Sequence, residues 1–332
     1  MGERILDTSV VAVVGAAAGE WPPGLPAEVP GCEMRMVSSG AELARGAPDA
    51  DVVFLWERVD WLREHWGWSQ RLRWVAAPTA GVDWLLFPGL VGSDVVVTNA
   101  AGVFDEAMAE YALTLVAAIC AGLPATLRFQ AERQWRHRET KRISGCRAVI
   151  VGAGGIGRAI YQMLTNVGVS ARCVARSRRS DPELGEIAPL TELPALLPGA
   201  DFVILVLPLT EATRGVIGPA DLDLMAPDGW LINLGRGALA DEEALVSALR
   251  AGVIGGAALD VFSTEPLPPD APWWDRPNVI VSPHMSGDFR GWERALTGLF
   301  VDQLRRYRAG RPLRNVVDKR LGFLTAGSSR SS

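Results

Sequence analysis

The chain has 332 residues, 48% hydrophobic and 21% charged, with 35 glycines and 22 prolines, which excludes a disordered or fibrous polymer and suits two globular α/β domains. Its formal charge of −5 excludes a broad basic surface for nucleic acid or an anionic membrane, so any positive patch is local. Cys32, Cys120, Cys146 and Cys173 form no CxxC pair and His65, His137 and His284 show no ligand spacing, so no metal is expected and the thiols read as reduced and buried.

From the start, Met1–Asp7 places acids before its apolar stretch, a poor signal peptide, and a cytoplasmic location is expected. Short β-branched runs at Val10–Val14, Val52–Trp56, Leu72–Ala76 and Val95–Thr98 alternate with helical stretches and predict a small parallel α/β unit. Between the first two, Gly15-Ala16-Ala17-Ala18-Gly19 lacks a third glycine and runs into Trp21-Pro22-Pro23, so it predicts only a turn. The charge-free run Tyr111–Leu127 contains Gly122 and Pro124 and is short for a membrane span; a buried or subunit-interface helix is expected. Apolar strands follow at Ala148–Val151, Ala171–Ala175, Phe202–Leu207, Trp230–Asn233, Ala257–Leu259 and Val279–Val281. Helices are expected between them at Ile156–Val167, Leu193–Leu197 and Asp241–Ala251. Trp292–Tyr307 carries apolar residues at helical spacing that would return the chain to its first domain. The tail from Gly327 has nothing apolar to bury and should fray. The fold class is therefore α/β, two parallel-sheet domains of Rossmann-like or flavodoxin-like type with a cleft between them. Residues 1–103 plus 289–332 would form a discontinuous substrate domain, and 104–288 a dinucleotide-binding domain.

The strand ending in Val151 enters Gly152-Ala153-Gly154-Gly155-Ile156-Gly157, and a helix follows. In such a turn Gly152 permits the tight bend, Gly154 lets backbone N–H groups approach a pyrophosphate at the helix N-terminus, and Gly157 lets the helix lie close to the strand. About 20 residues later, where an NAD enzyme places an acid for the ribose hydroxyls, the chain reads Ala175-Arg176-Ser177-Arg178-Arg179. Guanidinium and hydroxyl donors there suit a 2′-phosphate. NADP is the implied cofactor, with NAD the alternative.

Arg236, Glu265 and His284 each follow a strand of the same predicted sheet, at the carboxyl ends where α/β sheets collect ligands. Reducing a 2-oxo acid needs a cation for the carboxylate, a proton donor for the forming alkoxide, and a group that stabilises the protonated donor. Arginine, histidine and glutamate meet those needs in that order. Each also has an ordinary alternative: a helix cap, a structural hydrogen-bonder and a loop carboxylate.

Together with Leu207-Pro208-Leu209-Thr210, Thr213, Asn233 to Gly237, Ala258-Leu259-Asp260-Val261-Phe262, Glu265-Pro266 and Pro283-His284, the glycine turn makes the sequence from about Leu72 to Leu313 resemble the D-isomer-specific 2-hydroxyacid dehydrogenase family. The resemblance implies that Arg236, Glu265 and His284 form the catalytic triad. It implies that Gly155, Ile156, Leu207, Pro208, Thr213 and Leu234 line the cofactor, that Asp260 binds the nicotinamide carboxamide, and that backbone at Ala80-Gly81 holds the substrate carboxylate. It further implies a D-hydroxy acid product from glyoxylate, hydroxypyruvate or a related acid. A homodimer packed on the helix beginning Glu110-Tyr111 is also implied, with Trp135 in a loop that could reach a neighbouring active site. Arg128, Arg133, Arg136, Arg138, Lys141 and Arg142 gather near it, facing only Glu132 and Glu139; they read as a solvated charged surface, or alternatively as a patch that could attract a doubly anionic substrate. Three features depart from the family: Ala121-Gly122 after the interface helix, Trp273-Trp274, and Met285-Ser286-Gly287 after the histidine. Two other functions fit the same residues: a nucleotide-sensing corepressor on this fold, and a dehydrogenase acting on a phosphonate or phosphite.

Overall fold

A computed structural model describes residues 8–15, 20–26 and 28–324. The expectations for Met1–Asp7, most of the Gly15–Gly19 turn and the tail from Gly327 lie outside these residues. The chain divides into two compact units, Met1–Val103 with Phe289–Ser332, and Phe104–Asp288.

In the first unit the β-branched runs form parallel strands β1 (Ser9–Val14), β3 (Val52–Leu55), β4 (Trp74–Ala76) and β5 (Val96–Thr98), joined at the edge by β2 (Cys32–Val37) in the order β2-β1-β3-β4-β5. β1 and β3 are buried along their whole length, so both faces demand apolar side chains. No apolar run predicted β2, because an edge strand is half-solvated and its Arg35 pairs with Glu33 and Asp49. The Trp292–Arg308 helix belongs to this unit and lays Phe300 flat on Phe54, ring centroids 4.1 Å apart, with Trp74 stacked alongside at 5.5 Å. Removing Phe300 would open a cavity worth about 3–5 kcal/mol.

In the second unit, among the described residues, eight strands form one sheet in the order β13-β12-β11-β10-β6-β7-β9-β8. They are β6 (Arg147–Val151), β7 (Ser170–Ala175), β8 (Arg179–Asp181), β9 (Gly185–Pro189), β10 (Phe202–Leu205), β11 (Trp230–Asn233), β12 (Gly256–Leu259) and β13 (Val279–Val281). Every pairing is parallel except β8 with β9. The chain runs outward from β6 through β7 and β9, then returns to lay β10 on the other side of β6. The order therefore reverses between β6 and β10, the crevice where such sheets bind ligands. The helices Gly155–Asn166 and Glu242–Ala251 form within a residue of expectation, the latter capped by Asp241, whose side chain accepts from Ala244 N–H. β8 and β9 were not expected: the hairpin is polar and sits at the sheet edge.

The charge-free run resolves into two helices, Asp105–Cys120 and Leu123–Ala131, bent by 63° where Gly122 takes a left-handed φ of 61°. Among the described residues no single helix is long and apolar enough to cross a membrane, though this bent pair qualifies by length and composition. The cysteines read as isolated in sequence are not all so in space: Cys120 and Cys146 place their sulfurs 3.9 Å apart, and Cys32 is only half-buried. Burial pushes the Cys120 thiol up to about 12, which suppresses the reactive thiolate.

Candidate active site

Because β13, β12, β11, β10, β6 and β7 are parallel and adjacent in that order, the segments leaving their carboxyl ends line one edge of the sheet. In turn these carry His284, Asp260 with Glu265, Arg236, Leu207-Pro208, the glycine turn, and Arg176-Ser177. At roughly 4.8 Å per strand, β13 and β6 stand about 19 Å apart, a spacing that a dinucleotide can span.

The glycine turn is shaped as the sequence implies. Gly152 has φ 133° and a Cβ there would meet Val206 O at 2.8 Å, while a Cβ on Gly157 would meet Gly152 O at 1.9 Å, so neither position tolerates a side chain. Gly154, by contrast, opens onto empty space, and the Gly155–Asn166 helix starts beside it. Open room, backbone N–H groups and the positive end of a helix are what a pyrophosphate needs, so the residues present fit a dinucleotide. Gly155 adds a condition that the motif did not predict, because a Cβ there would strike Asp105 Oδ2 at 2.1 Å.

Beside the turn, Arg176 and Ser177 emerge exposed from β7. Arg178 is engaged with Glu192 across the surface, a pair whose exposure makes it weak and exchangeable. Arg179, the last of that run, reaches back to donate to Ala153 O at 3.2 Å and so touches the glycine turn itself. The acid that does follow, Asp181, is bound by Arg158 through two hydrogen bonds of 2.9 and 2.5 Å. That guanidinium holds its carboxyl well below the usual aspartate range.

At the other end of the row, His284 Nδ1 lies 2.7 Å from Glu265 Oε2, and Glu265 Oε1 accepts from Phe262 N–H at 2.9 Å. The carboxylate is thus fixed at one oxygen by backbone and presents the other to the imidazole, a geometry that sets a proton on Nδ1 and turns Nε2 outward. Arg236 sits in a loop tied by buried Asn233, whose Nδ2 donates to Arg236 O and whose Oδ1 accepts from Gly235 N–H. Gly237 brings this loop against the Glu265 loop, for a Cβ there would meet Phe262 C at 2.1 Å. Two adjacent strand ends are thereby locked together.

The other expected residues sort less evenly. Leu207, Thr213 and Leu234 are buried, and Thr213 Oγ1 donates to Pro208 O at 2.7 Å, shaping the loop after β10. Ile156 is half-buried in the first turn of its helix. Asp260 is fully buried, and its carboxylate oxygens accept from Ser282, Met285 and Ser286. Ala80 and Gly81 lie in the first unit after β4. Their carbonyls accept from Asn99 and from Thr79 and Trp84, so this loop's remaining offer to an anion is its amide N–H groups. Trp135 is 100% exposed. Near it Arg128, Arg136 and Arg138 gather over the ring of Phe129 at 5.4, 5.0 and 5.5 Å. Lys141, grouped with these by sequence, instead pairs with Asp201 and Asp228; acids distant in the chain could not be seen to face it. Asp288, four residues past His284 and not anticipated, has its carboxyl raised by burial, an effect opposed by the nearby His284.

Residues 113–286 match the family described as D-isomer specific 2-hydroxyacid dehydrogenase, NAD binding domain. The chain is 30% identical over 312 residues to a glyoxylate/hydroxypyruvate reductase A of Serratia proteamaculans, covering 92% of this chain and 96% of that protein. It is 34% identical over 274 residues to a glyoxylate reductase of Thermococcus onnurineus, covering 79% and 80%. Among solved structures, the NADPH-dependent glyoxylate/hydroxypyruvate reductase of Sinorhizobium meliloti in complex with NADP and sulfate superposes with a TM-score of 0.82 at 29% identity, covering 95% of this chain and all of that one. A D-isomer specific 2-hydroxyacid dehydrogenase of Xanthobacter autotrophicus in complex with NADPH and MES gives 0.83 at 29% identity, covering 96% and 100%.

Proposed function

Since the chain belongs to the D-isomer-specific 2-hydroxyacid dehydrogenase family, we propose that it is an NADPH-preferring reductase of a short 2-oxo acid such as glyoxylate or hydroxypyruvate, forming the D-2-hydroxy acid. The observation that carries this reading is the alignment along one sheet edge of a glycine turn, Arg236, and a His284–Glu265 pair at 2.7 Å. NADPH, when bound, supplies the hydride. The exposed Arg176 and Ser177, with Arg179 against the glycine turn, support the preference for a 2′-phosphate.

Arg236 would take the substrate carboxylate and polarise its carbonyl oxygen with a planar fork of donors. His284 would deliver a proton from Nε2 to the alkoxide oxygen as it forms, and Glu265 would stabilise the imidazolium and hold the ring against rotation. We read the Phe104–Asp288 unit as the cofactor-binding domain and the other as the substrate domain, and the protein as a cytoplasmic homodimer. The reading is tested by loss of NADPH absorbance, with NADH in parallel, across glyoxylate, hydroxypyruvate, pyruvate and phosphonopyruvate. Turnover of a 2-oxo acid, faster with NADPH, is expected. Tight NADPH binding with no turnover would point instead to a nucleotide-sensing protein, and turnover confined to phosphonopyruvate to a phosphonate substrate.

A further inference from the structure

His284 stands in the left-handed region, φ 55°, which residues with a Cβ occupy uncommonly. One carboxylate is bonded to residues on both sides of it. Asp260, at the end of β12, is 0% exposed. Its Oδ1 accepts from Ser282 Oγ at 2.7 Å and from Met285 N–H at 3.0 Å, and its Oδ2 accepts from Ser286 N–H at 2.9 Å. These donors bracket the histidine, two positions before it and one and two after. Ser282 and Ser286 are themselves buried.

A buried carboxylate keeps its charge only when donors replace the lost water, and the charge makes each of those hydrogen bonds strong and directional. Both oxygens of Asp260 are used in this way on the protein itself. We propose that Asp260 is a positioning residue for His284: its carboxylate clamps the backbone on both sides of the histidine, imposes the left-handed turn, and so aims Nδ1 at Glu265 and Nε2 away from it. The kinetic consequence rests on His284 being the proton donor of the reductase reading; the placement of the ring does not.

Asp260→Asn tests this. An amide has one acceptor, so in either orientation its NH2 group faces at least one of the three donors and pushes the histidine loop away. With only His65, His137 and His284 in the chain, nitrogen–proton correlation spectra resolve each ring, and His284→Gln assigns the third. In the wild type the neutral His284 should carry its proton on Nδ1. In folded Asp260→Asn, checked by circular dichroism, the proton should move to Nε2, and kcat should fall roughly 30-fold, as expected for a misplaced reacting group. An unchanged Nδ1–H tautomer in the folded variant would overturn the proposal, as would a kcat equal to that of the wild type. If Asp260→Asn does not fold, Ser282→Ala carries the test. Mixed tautomers with a several-fold lower kcat support the clamp, and a pure Nδ1–H ring with unchanged kcat refutes it. The tautomer is read without turnover. A wild-type protein inert toward every 2-oxo acid would therefore sink the reductase reading, while the protonated nitrogen of His284 would still decide the role of Asp260.

Discussion

The two ends of the site are built by opposite means. At the β13–β12 end, His284 is placed by a buried carboxylate, by backbone N–H groups and by Glu265, itself anchored to Phe262. At the β7 end, the arginines proposed to meet the 2′-phosphate are exposed, one of them paired across the surface with Glu192. Proton delivery depends on angles and distances of tenths of an ångström, so it needs groups that cannot move. Recognition of a phosphate needs charge nearby, and mobile guanidinium groups supply it with little ordering. Substitutions at the first end should therefore cost rate, and those at the second should cost affinity.

The largest expected effect is at the histidine. His284→Ala should lower kcat by roughly 10²–10⁴-fold, the usual contribution of a general acid, with the NADPH dissociation constant nearly unchanged; stopped-flow turnover and fluorescence titration separate the two. Arg236→Ala should lose about 3 kcal/mol of transition-state stabilisation in kcat/KM, and turnover close to wild type would remove Arg236 from the site. Arg179→Ala should weaken NADPH by about tenfold, the worth of one charge-assisted hydrogen bond, leave NADH affinity alone, and flatten the salt dependence of NADPH binding. A fall in kcat instead would erase the distinction between the two ends.

The smallest effect concerns stability. Asp181 is depressed by Arg158 and Asp228 by Lys141. Carboxyls with native values below the unfolded one stabilise the fold above pH about 4, and that contribution is lost as the pH falls through the native values. The melting temperature should thus drop more steeply below pH 4 in the wild type than in Arg158→Ala, measured by calorimetry. Equal slopes would mean that the pair, largely a surface one, contributes nothing measurable.

Strands buried on both faces were legible because their apolar runs admit no other placement, as in Val149–Val151 or Phe202–Leu205. β2 and the β8–β9 hairpin were not, since edge strands satisfy solvent on one side and read as polar loops. The same division runs through the site. Gly152, Gly154 and Gly157 announce themselves by spacing, and Arg236, Glu265 and His284 by following predicted strands. The clamp at Asp260 and the reach of Arg179 to Ala153 could not be read, because each depends on a loop backbone conformation that no periodicity encodes. Lys141 shows the converse: a charge run suggested a patch, and the fold spent one member on Asp201 and Asp228.

Hydride transfer to C2 of a 2-oxo acid is most directly tested by incubating the protein with hydroxypyruvate and NADPH deuterated at C4 of the nicotinamide, then examining the product by mass spectrometry and chiral chromatography. The expected product is D-glycerate, carrying one deuterium at C2 when the label sits on the transferred face and none when it sits on the other. Unlabelled product from both cofactors, or L-glycerate, would contradict hydride transfer of this kind.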